Sequence, residues 1–83
     1  MMQCFVYKSL RRADTFVYLR ERDAFELVPA TLAATLGPLS FVIELALSPE
    51  RKLAREDVDT VMANLQGPGF HLQLPPPPVG TTQ

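Results

Sequence analysis

The sequence predicts an α+β fold, with a small, mainly antiparallel sheet of three to four strands and helices packed on it. Three observations support this prediction. Two early runs alternate apolar and polar side chains, two later segments have helical periodicity, and the resulting order is β-β-α-β-α-β. Because 83 residues can bury one modest core, we predict a single domain over residues 1–75, followed by a proline-rich exit and frayed tail over residues 76–83.

The first two predicted strands cover residues 2–8 and 15–20. β-branched and aromatic residues dominate both runs, and such residues suit a half-buried pleated surface. The segment between them, residues 9–14, is polar and charged, which is typical of a hairpin loop. We therefore expect an antiparallel pair as the first unit of the sheet.

A short helix and a third strand are predicted next. Residues 29–36 begin with a proline, which fits the first turn of a helix, and Gly37 followed by Pro38 ends the segment. Residues 39–46 are the most hydrophobic stretch of the chain and are predicted to form a central strand. Regular alternation places three large apolar side chains of this strand on one face: Phe41, Ile43 and Leu45.

The last predicted elements are a helix over residues 56–66 and a strand over residues 70–74. The helix is predicted from one apolar stripe with the spacing i, i+3, i+4, i+7, formed by Val58, Val61, Met62 and Leu65. The strand runs directly into four prolines, which lack the N–H group that a sheet requires. The prolines should therefore leave the sheet as a polyproline helix.

The charges of the chain are unevenly distributed. The formal net charge is -1. Residues 1–22 carry five basic and two acidic side chains, whereas residues 23–83 carry three basic and seven acidic ones. Bulk charge therefore argues against a general nucleic-acid binder, although one end of the domain can still present a local basic surface.

Cysteine content and hydropathy bear on the compartment. Cys4 is the single cysteine, so the chain has no disulfide framework. No apolar run approaches the ~20 residues that a membrane-spanning helix needs. We predict a reduced, cytoplasmic location without membrane attachment.

Three motifs resemble one protein family. They are CFVYKS at residues 4–9, FELVPATL at residues 25–32 and LQLPPPP at residues 72–78. Together they resemble the YcgL family of bacterial proteins in order and spacing over roughly residues 3–78. The resemblance implies an α+β domain. It implies no catalytic or binding residue, because the molecular function of that family is unassigned.

Residue types that carry catalysis or bind metals are sparse. A nucleophilic mechanism would require Cys4 or a serine beside a base, and the single histidine, His71, lies at the opposite end of the chain. One histidine, one cysteine and scattered carboxylates do not provide metal-ligand spacing. We predict no catalytic residue, cofactor or metal, although sequence alone leaves the Cys4–His71 distance open.

The leading functional hypothesis is a non-enzymatic protein-interaction module of the bacterial cytoplasm, contacting its partner through the sheet surface or the proline exit. A polyproline helix is preorganised, so its docking into an aromatic groove costs little entropy. The candidate partner-binding residues are Pro75, Pro76, Pro77 and Pro78. Packing of this run on its own domain and a plain rigid exit are the alternatives.

The second hypothesis is an RNA-associated accessory protein that binds through the N-terminal hairpin. Basic residues beside exposed aromatic rings are typical of surfaces that stack single-stranded RNA. The candidate basic residues are Lys8, Arg11, Arg12 and Arg20. The candidate stacking residues, expected to share one face, are Phe5, Tyr7, Phe16 and Tyr18. The oligomeric state, including pairing through an exposed strand edge, stays open.

Overall fold

Four strands, two α-helices and one short 3-10 helix make up the part of the chain that the computed structural model describes, residues 2–53 and 56–75. In chain order they are β1 (Met2–Ser9), β2 (Phe16–Leu19), a 3-10 helix (Phe25–Leu27), α1 (Ala30–Leu36), β3 (Leu39–Leu47), α2 (Val58–Gln66) and β4 (Phe70–Gln73). The predicted α+β fold is confirmed. Each predicted strand and α-helix agrees with the structure within two residues at either end.

The sheet has the order β3-β1-β2-β4, and all neighbouring strands are antiparallel. The predicted hairpin is its centre: Phe5 pairs with Leu19, and the Ser9 N–H donates to the Thr15 carbonyl at 2.9 Å. The Ser9 hydroxyl accepts from the Arg12 N–H at 2.9 Å and donates to the Leu36 carbonyl at 2.6 Å. The hairpin loop is therefore tied to the end of α1.

The prediction of a central position for the third strand is wrong. β3 pairs with β1 alone among the described strands and forms one edge of the sheet. Hydrophobicity was a misleading signal here, because three successive apolar residues, Phe41, Val42 and Ile43, are 40–48% exposed. Neighbour order depends on which edge of the β1–β2 hairpin receives the strand that follows α1, and strand composition does not encode that choice.

The predicted alternation of β3 is also wrong, because the strand contains a bulge. Phe41 pairs with Tyr7 and Ile43 pairs with Val6, which leaves Val42 as the extra residue. A bulge reverses the alternation of side chains beyond it. Phe41 therefore shares a face with Tyr7, whereas Ile43 and Leu45 lie on the opposite face with Val6 and Cys4.

The expectation of one core is wrong, because two hydrophobic cores lie on opposite faces of the sheet. The core on the α2 side contains Cys4, Val6, Tyr18, Leu47, Val58, Val61 and Leu65. The core on the α1 side contains Tyr7, Val17, Leu19, Val28 and Leu36. The predicted apolar stripe of the second helix is the stripe that packs on the sheet. The helix begins at Val58 because the Asp57 carboxylate accepts from the Thr60 N–H at 3.1 Å and caps it.

Gly37 ends α1 in a backbone conformation that favours glycine, with φ of 68°. Its N–H donates to the Ala33 carbonyl, and the Arg11 side chain packs against it. A Cβ at this position would lie 3.1 Å from Arg11 Nε. The predicted stop at Gly37 thus coincides with the contact between α1 and the hairpin loop.

Candidate functional site

An apolar strip lies on the exposed edge of the sheet. It consists of Phe41, Val42 and Ile43 in the middle of β3, and we refer to these three residues as the β3 strip. Isolated apolar side chains on a surface are ordinary, but three in succession on a strand edge are a feature that proteins usually avoid. The β3 strip is the strongest candidate for a binding surface among the described residues.

Tyr7 supports the β3 strip from the core. Its ring is 1% exposed and makes edge-to-face contacts with Phe41 and Phe25, at centroid distances of 5.6 and 5.1 Å. Its hydroxyl accepts from the Asp23 N–H at 2.7 Å and donates to Asp23 Oδ1 at 2.9 Å. Burial raises the pKa of Tyr7 above its usual value of 10.0, so the hydroxyl keeps its proton and remains a donor near neutral pH.

Arg22 adds a positive charge to the exposed side of this cluster. Its guanidinium carbon lies 4.3 Å from the centroid of the Phe41 ring, within the range of a cation–π contact. Its Nε is 4.0 Å from Asp23 Oδ2, and the side chain is 57% exposed. The edge of the sheet therefore presents an aromatic ring with a cation on it.

Apolar clefts border β3 on both faces of the sheet. The cleft on the α1 side has a volume of about 230 Å³ and is lined by Phe25, Val28, Ala33, Gly37, Pro38 and Leu39. The cleft on the α2 side is of similar size and is lined by Val6, Phe16, Tyr18, Ile43, Leu45, Leu53 and Gln73. A strand added to this edge would place alternate side chains on the two faces of the sheet, beside Ile43 and Leu45 of the α2-side cleft and beside Leu39 of the α1-side cleft.

The basic candidates are divided between the two ends of the hairpin. Lys8 is at the loop end of β1, and Arg11 and Arg12 are in the loop. Arg11 Nη1 donates to the Ala34 carbonyl at 2.7 Å, so part of its guanidinium is occupied. Arg20 follows the other end of β2, where its N–H donates to the Gly69 carbonyl at 3.1 Å. The four basic side chains therefore do not form one continuous patch.

The proline exit begins beside the basic loop. An open depression of about 570 Å³ is lined by Arg11, Arg12, Ala13, Thr15, Leu74 and Pro75. This proximity follows from the pairing of Phe16 with Gln73, which places the residues after β4 next to the hairpin loop. Pro75 is exposed there, whereas candidates Pro76, Pro77 and Pro78 lie outside the described residues. Sequence reasoning treated the two sites separately, and the structure brings their edges together.

The prediction of one aromatic face on the hairpin is wrong. Val6 pairs with Tyr18 and Tyr7 pairs with Val17, so the aromatic residues of the two strands are on opposite faces. Phe5 and Tyr7 pack with the α1-side core, and Phe16 and Tyr18 pack with the α2-side core. The register explains the error, since a shift of one residue exchanges the faces of a strand.

Cys4 is a core residue with an unreactive thiol. It is 0% exposed, and burial raises the pKa of its thiol from 9.0 to about 11. The thiolate is the nucleophilic form of cysteine, and a pKa this high leaves almost no thiolate at neutral pH. The environment of Cys4 is therefore the opposite of that of a catalytic cysteine.

His71 belongs to a polar cluster that sequence reasoning missed. Its Nε2 lies 2.6 Å from Glu56 Oε1 and its Nδ1 lies 2.9 Å from Asn64 Nδ2. The amide N–H of Asn64 donates to Nδ1, so Nε2 carries the proton and donates to Glu56. Both ring nitrogens are thus engaged with partners other than Cys4. The sequence carries no signal for this cluster, because alternation groups His71 with Gln73 opposite three apolar residues, whereas the structure buries the side with His71.

Neither a metal-ligand cluster nor a membrane-spanning helix occurs within the described residues. Within residues 2–53 and 56–75, no group of three or more His, Cys, Asp or Glu side chains is placed to hold a metal ion. In the same ranges no helix is both long enough and apolar enough to cross a membrane.

Comparison with known proteins identifies similar sequences along nearly the whole chain. Residues 4–76 match the family model described as the YcgL domain. A YcgL domain-containing protein of Xanthomonas campestris pv. campestris (strain B100) is 55% identical over 74 residues, which are 89% of this chain and 86% of that relative. One from Thioalkalivibrio sulfidiphilus (strain HL-EbGR7) is 51% identical over 75 residues, or 90% of this chain and 93% of the relative. The resemblance carried by the three sequence motifs is confirmed.

Proposed function

We propose that this chain, which belongs to the YcgL domain family, is a non-enzymatic protein-interaction module of the bacterial cytoplasm. Its binding surface is the edge of β3, where a strand of another protein molecule adds to the sheet. The observation that carries the proposal is the β3 strip, three successive exposed apolar residues on an edge strand of nine residues.

Strand addition fits this edge for two physical reasons. First, an edge strand presents backbone N–H and C=O groups to solvent, and a bound strand pairs with them. Second, side chains of that strand would lie beside apolar residues of β3 that line the two clefts, Ile43 and Leu45 on the α2 side and Leu39 on the α1 side. Main-chain hydrogen bonds would then supply affinity, and the clefts would supply preference for apolar side chains.

The environments of Cys4 and His71, the candidate nucleophile and the candidate base, support a non-enzymatic role. The Cys4 thiol is buried and its pKa is raised, so it is not poised for attack. The His71 ring is buried, and both of its nitrogens bind side chains that connect α2 with β4. The chain has a single cysteine and therefore no internal disulfide, which is usual for proteins of a reducing compartment such as the cytoplasm.

The proline exit is a second part of the proposed surface. Pro75 begins the run on the rim of the depression that Arg11 and Arg12 line. A preorganised polyproline segment at this position would offer a partner an apolar ridge beside two cations. This contact is separate from the β3 strip, since Leu74 and Pro75 follow the opposite edge strand.

Affinity capture tests the proposal. Tagged wild-type chain and the variant Ile43→Lys are used as bait in bacterial lysate, with and without nuclease. Leu10→Lys is the matched control, because Leu10 is 59% exposed in the hairpin loop and lies beside the start of β3, outside the β3 strip. We expect a protein that survives nuclease, is retained by Leu10→Lys and is lost from Ile43→Lys. Equal capture by all three baits would contradict the assignment to β3.

RNA binding is the second candidate function. It is favoured by the grouping of Lys8, Arg11 and Arg12 at one end of the sheet, next to an open depression. Because the aromatic rings are divided between the two faces of the sheet, RNA would be bound through its phosphates alone, without stacking of its bases. It predicts salt-sensitive binding of single-stranded RNA that Arg11→Glu with Arg12→Glu abolishes. Binding that ignores both salt and these substitutions would exclude it.

A further inference from the structure

We infer that the β3 strip binds a second copy of this chain, forming a two-fold symmetric dimer in which two β3 strands pair antiparallel. The inference rests on the proposed function, because it names the protein that β3 binds. The opposite edge is less suited to pairing, since β4 has four residues and Pro75 follows it closely. β3 has nine residues and no proline.

The backbone of β3 shows which of its residues can pair outward. The Leu10 N–H donates to the Pro38 carbonyl at 2.9 Å, so this pair at the start of the β1–β3 ladder is hydrogen-bonded. Hydrogen-bonded and non-hydrogen-bonded pairs alternate along an antiparallel ladder. Following the register from there, the β3 residues that direct their backbone groups away from β1 are Leu39, Phe41, Glu44 and Ala46. The Ala46 carbonyl supports this direction, because it accepts a hydrogen bond at 3.3 Å from Arg51 Nη1, which is not part of β1.

The bulge at Val42 makes this edge complementary to itself. Phe41 and Glu44 are three residues apart on β3, but their partners on β1, Tyr7 and Phe5, are two apart. Both residues point their backbone outward and their side chains to the α1 side. In a two-fold pair Phe41 can therefore face Glu44 of the second copy. The outward backbone groups of these two residues can then hydrogen-bond to each other, and both side chains lie on the α1 side. The two bulges lie opposite each other.

Charge favours the same register. Arg22 lies on the Phe41 ring, on the face to which Glu44 also points. Pairing Phe41 with Glu44 of the second copy places that carboxylate next to Arg22, and symmetry repeats the contact. Glu44 is exposed and accepts a hydrogen bond from Gln3 Nε2, which holds it on this face. Each dimer would contain two such ion pairs around a centre formed by Val42 and Ile43 of both copies.

Apolar burial supplies the driving force for this contact. The three side chains of the β3 strip are the most exposed large hydrophobic residues of the sheet itself, at 40, 46 and 48%. In the dimer Val42 and Ile43 would pack against Ile43 and Val42 of the second copy and close the outer side of the α2-side cleft, which Ile43 lines. Two four-stranded sheets would become one sheet of eight strands, a size that twisted open sheets commonly reach.

Sedimentation velocity of the full chain over micromolar to millimolar concentrations tests the dimer. We expect the wild type to reach the mass of two chains and Ile43→Lys to remain a monomer. Arg22→Glu and Glu44→Arg should each weaken association about tenfold, because each creates two repelling pairs per dimer. The double variant Arg22→Glu with Glu44→Arg should recover the wild-type dissociation constant within about threefold, because the pairs are restored with reversed sign.

Two controls separate association from folding and from net charge. Far-UV circular dichroism and melting curves of every variant verify that the fold is retained. Lys52→Glu makes the same change in net charge as Arg22→Glu but is an exposed residue of the connection between β3 and α2, outside the β3 strip, so it should leave association unchanged. A wild type that stays monomeric throughout, or a double variant no better than the single ones, would overturn the inference.

Failure of this inference and failure of the proposed function are distinguishable. A monomeric wild type that still captures another protein, lost with Ile43→Lys, would overturn the dimer and leave the function standing. In the opposite case the wild type dimerises and the double charge reversal restores the dimer, but Ile43→Lys captures the same proteins as the wild type. That result would support the dimer and overturn the proposal that β3 binds other proteins.

Discussion

The hydroxyl of Tyr7 holds both the backbone and the side chain of Asp23, with distances of 2.7 Å to the Asp23 nitrogen and 2.9 Å to Oδ1. The two bonds stabilise the backbone of Asp23, whose φ of 60° lies in the left-handed region that few residues other than glycine adopt. The neighbouring Arg22 lies on the Phe41 ring. A buried tyrosine thus contacts both Asp23 and Phe41, the two residues that Arg22 contacts at the exposed strand edge.

Tyr7→Phe should loosen this arrangement without emptying the core. The variant keeps the ring contacts with Phe25 and Phe41 and removes the two hydrogen bonds to Asp23. We expect a loss of about 1–2 kcal/mol in the free energy of unfolding, measured in urea. The cation–π contact should also weaken, which chemical shifts of the Arg22 side chain would report. A stability equal to that of the wild type would show that the Asp23 conformation does not depend on Tyr7.

Stability should fall in alkaline solution. Burial raises the pKa of Cys4 from 9.0 to about 11 and also raises that of Tyr7 above 10.0. For a raised pKa, the folded chain binds more protons than the unfolded one between the two pKa values, so the free energy of unfolding falls as pH rises there. The Cys4 contribution is complete below pH 9 and is lost by about pH 11.

Urea unfolding of the wild type and Cys4→Ala across this pH range measures that contribution. The stability advantage of the wild type should shrink as pH rises, because the alanine variant has no thiol to titrate. In the same experiment, iodoacetamide should modify Cys4 only after urea unfolds the chain. Rapid modification of the native protein would show that the thiol is more accessible than its 0% exposure indicates.

Val61→Asp should abolish the folded state. Val61 is 0% exposed in the α2-side core, and an unpaired carboxylate at such a site costs more than a domain of this size has in reserve, about 4–12 kcal/mol. Circular dichroism should show no cooperative melting transition. Ala63→Asp is the matched control, since Ala63 is exposed on the same helix. Equal melting temperatures for the two variants would mean that α2 packs through another face.

His71→Phe should weaken the attachment of β4 to α2. Phenylalanine keeps a ring beside Tyr18, but the bonds to Glu56 and Asn64 are lost. We expect a cost of about 1–3 kcal/mol, because Glu56 and Asn64 are left without this partner in a partly buried site. A double-mutant cycle with Asn64→Ala isolates the pair, and a coupling energy near zero would contradict a shared hydrogen bond.

Substitution of the proline exit should separate its two possible roles. Pro76→Ser, Pro77→Ser and Pro78→Ser together increase the flexibility of the segment and leave every residue of the two described cores unchanged. If the run binds a partner, capture weakens and the melting temperature is unchanged. A lowered melting temperature with unchanged capture would instead indicate that the run packs on its own domain.

Local patterns of the sequence determined where the strands and helices are. Alternation predicted β1, β2 and β4, and the stripe that includes Val61 predicted α2, because these periodicities follow directly from strand and helix geometry. Gly37 marked the end of α1 because its backbone conformation favours glycine. The three family motifs identified the family by the same local means.

Tertiary structure alone decided which surfaces are exposed. Register placed the aromatic residues of β1 and β2 on opposite faces, and strand order put the apolar β3 at an edge. The contact between Tyr7 and Asp23, the cluster around His71 and the outward backbone of β3 all join residues that are distant in sequence. Such contacts depend on the relative placement of whole elements. That placement depends on burial of both sheet faces and on closure of the hairpin. Neither can be recognised from the residues of one short segment.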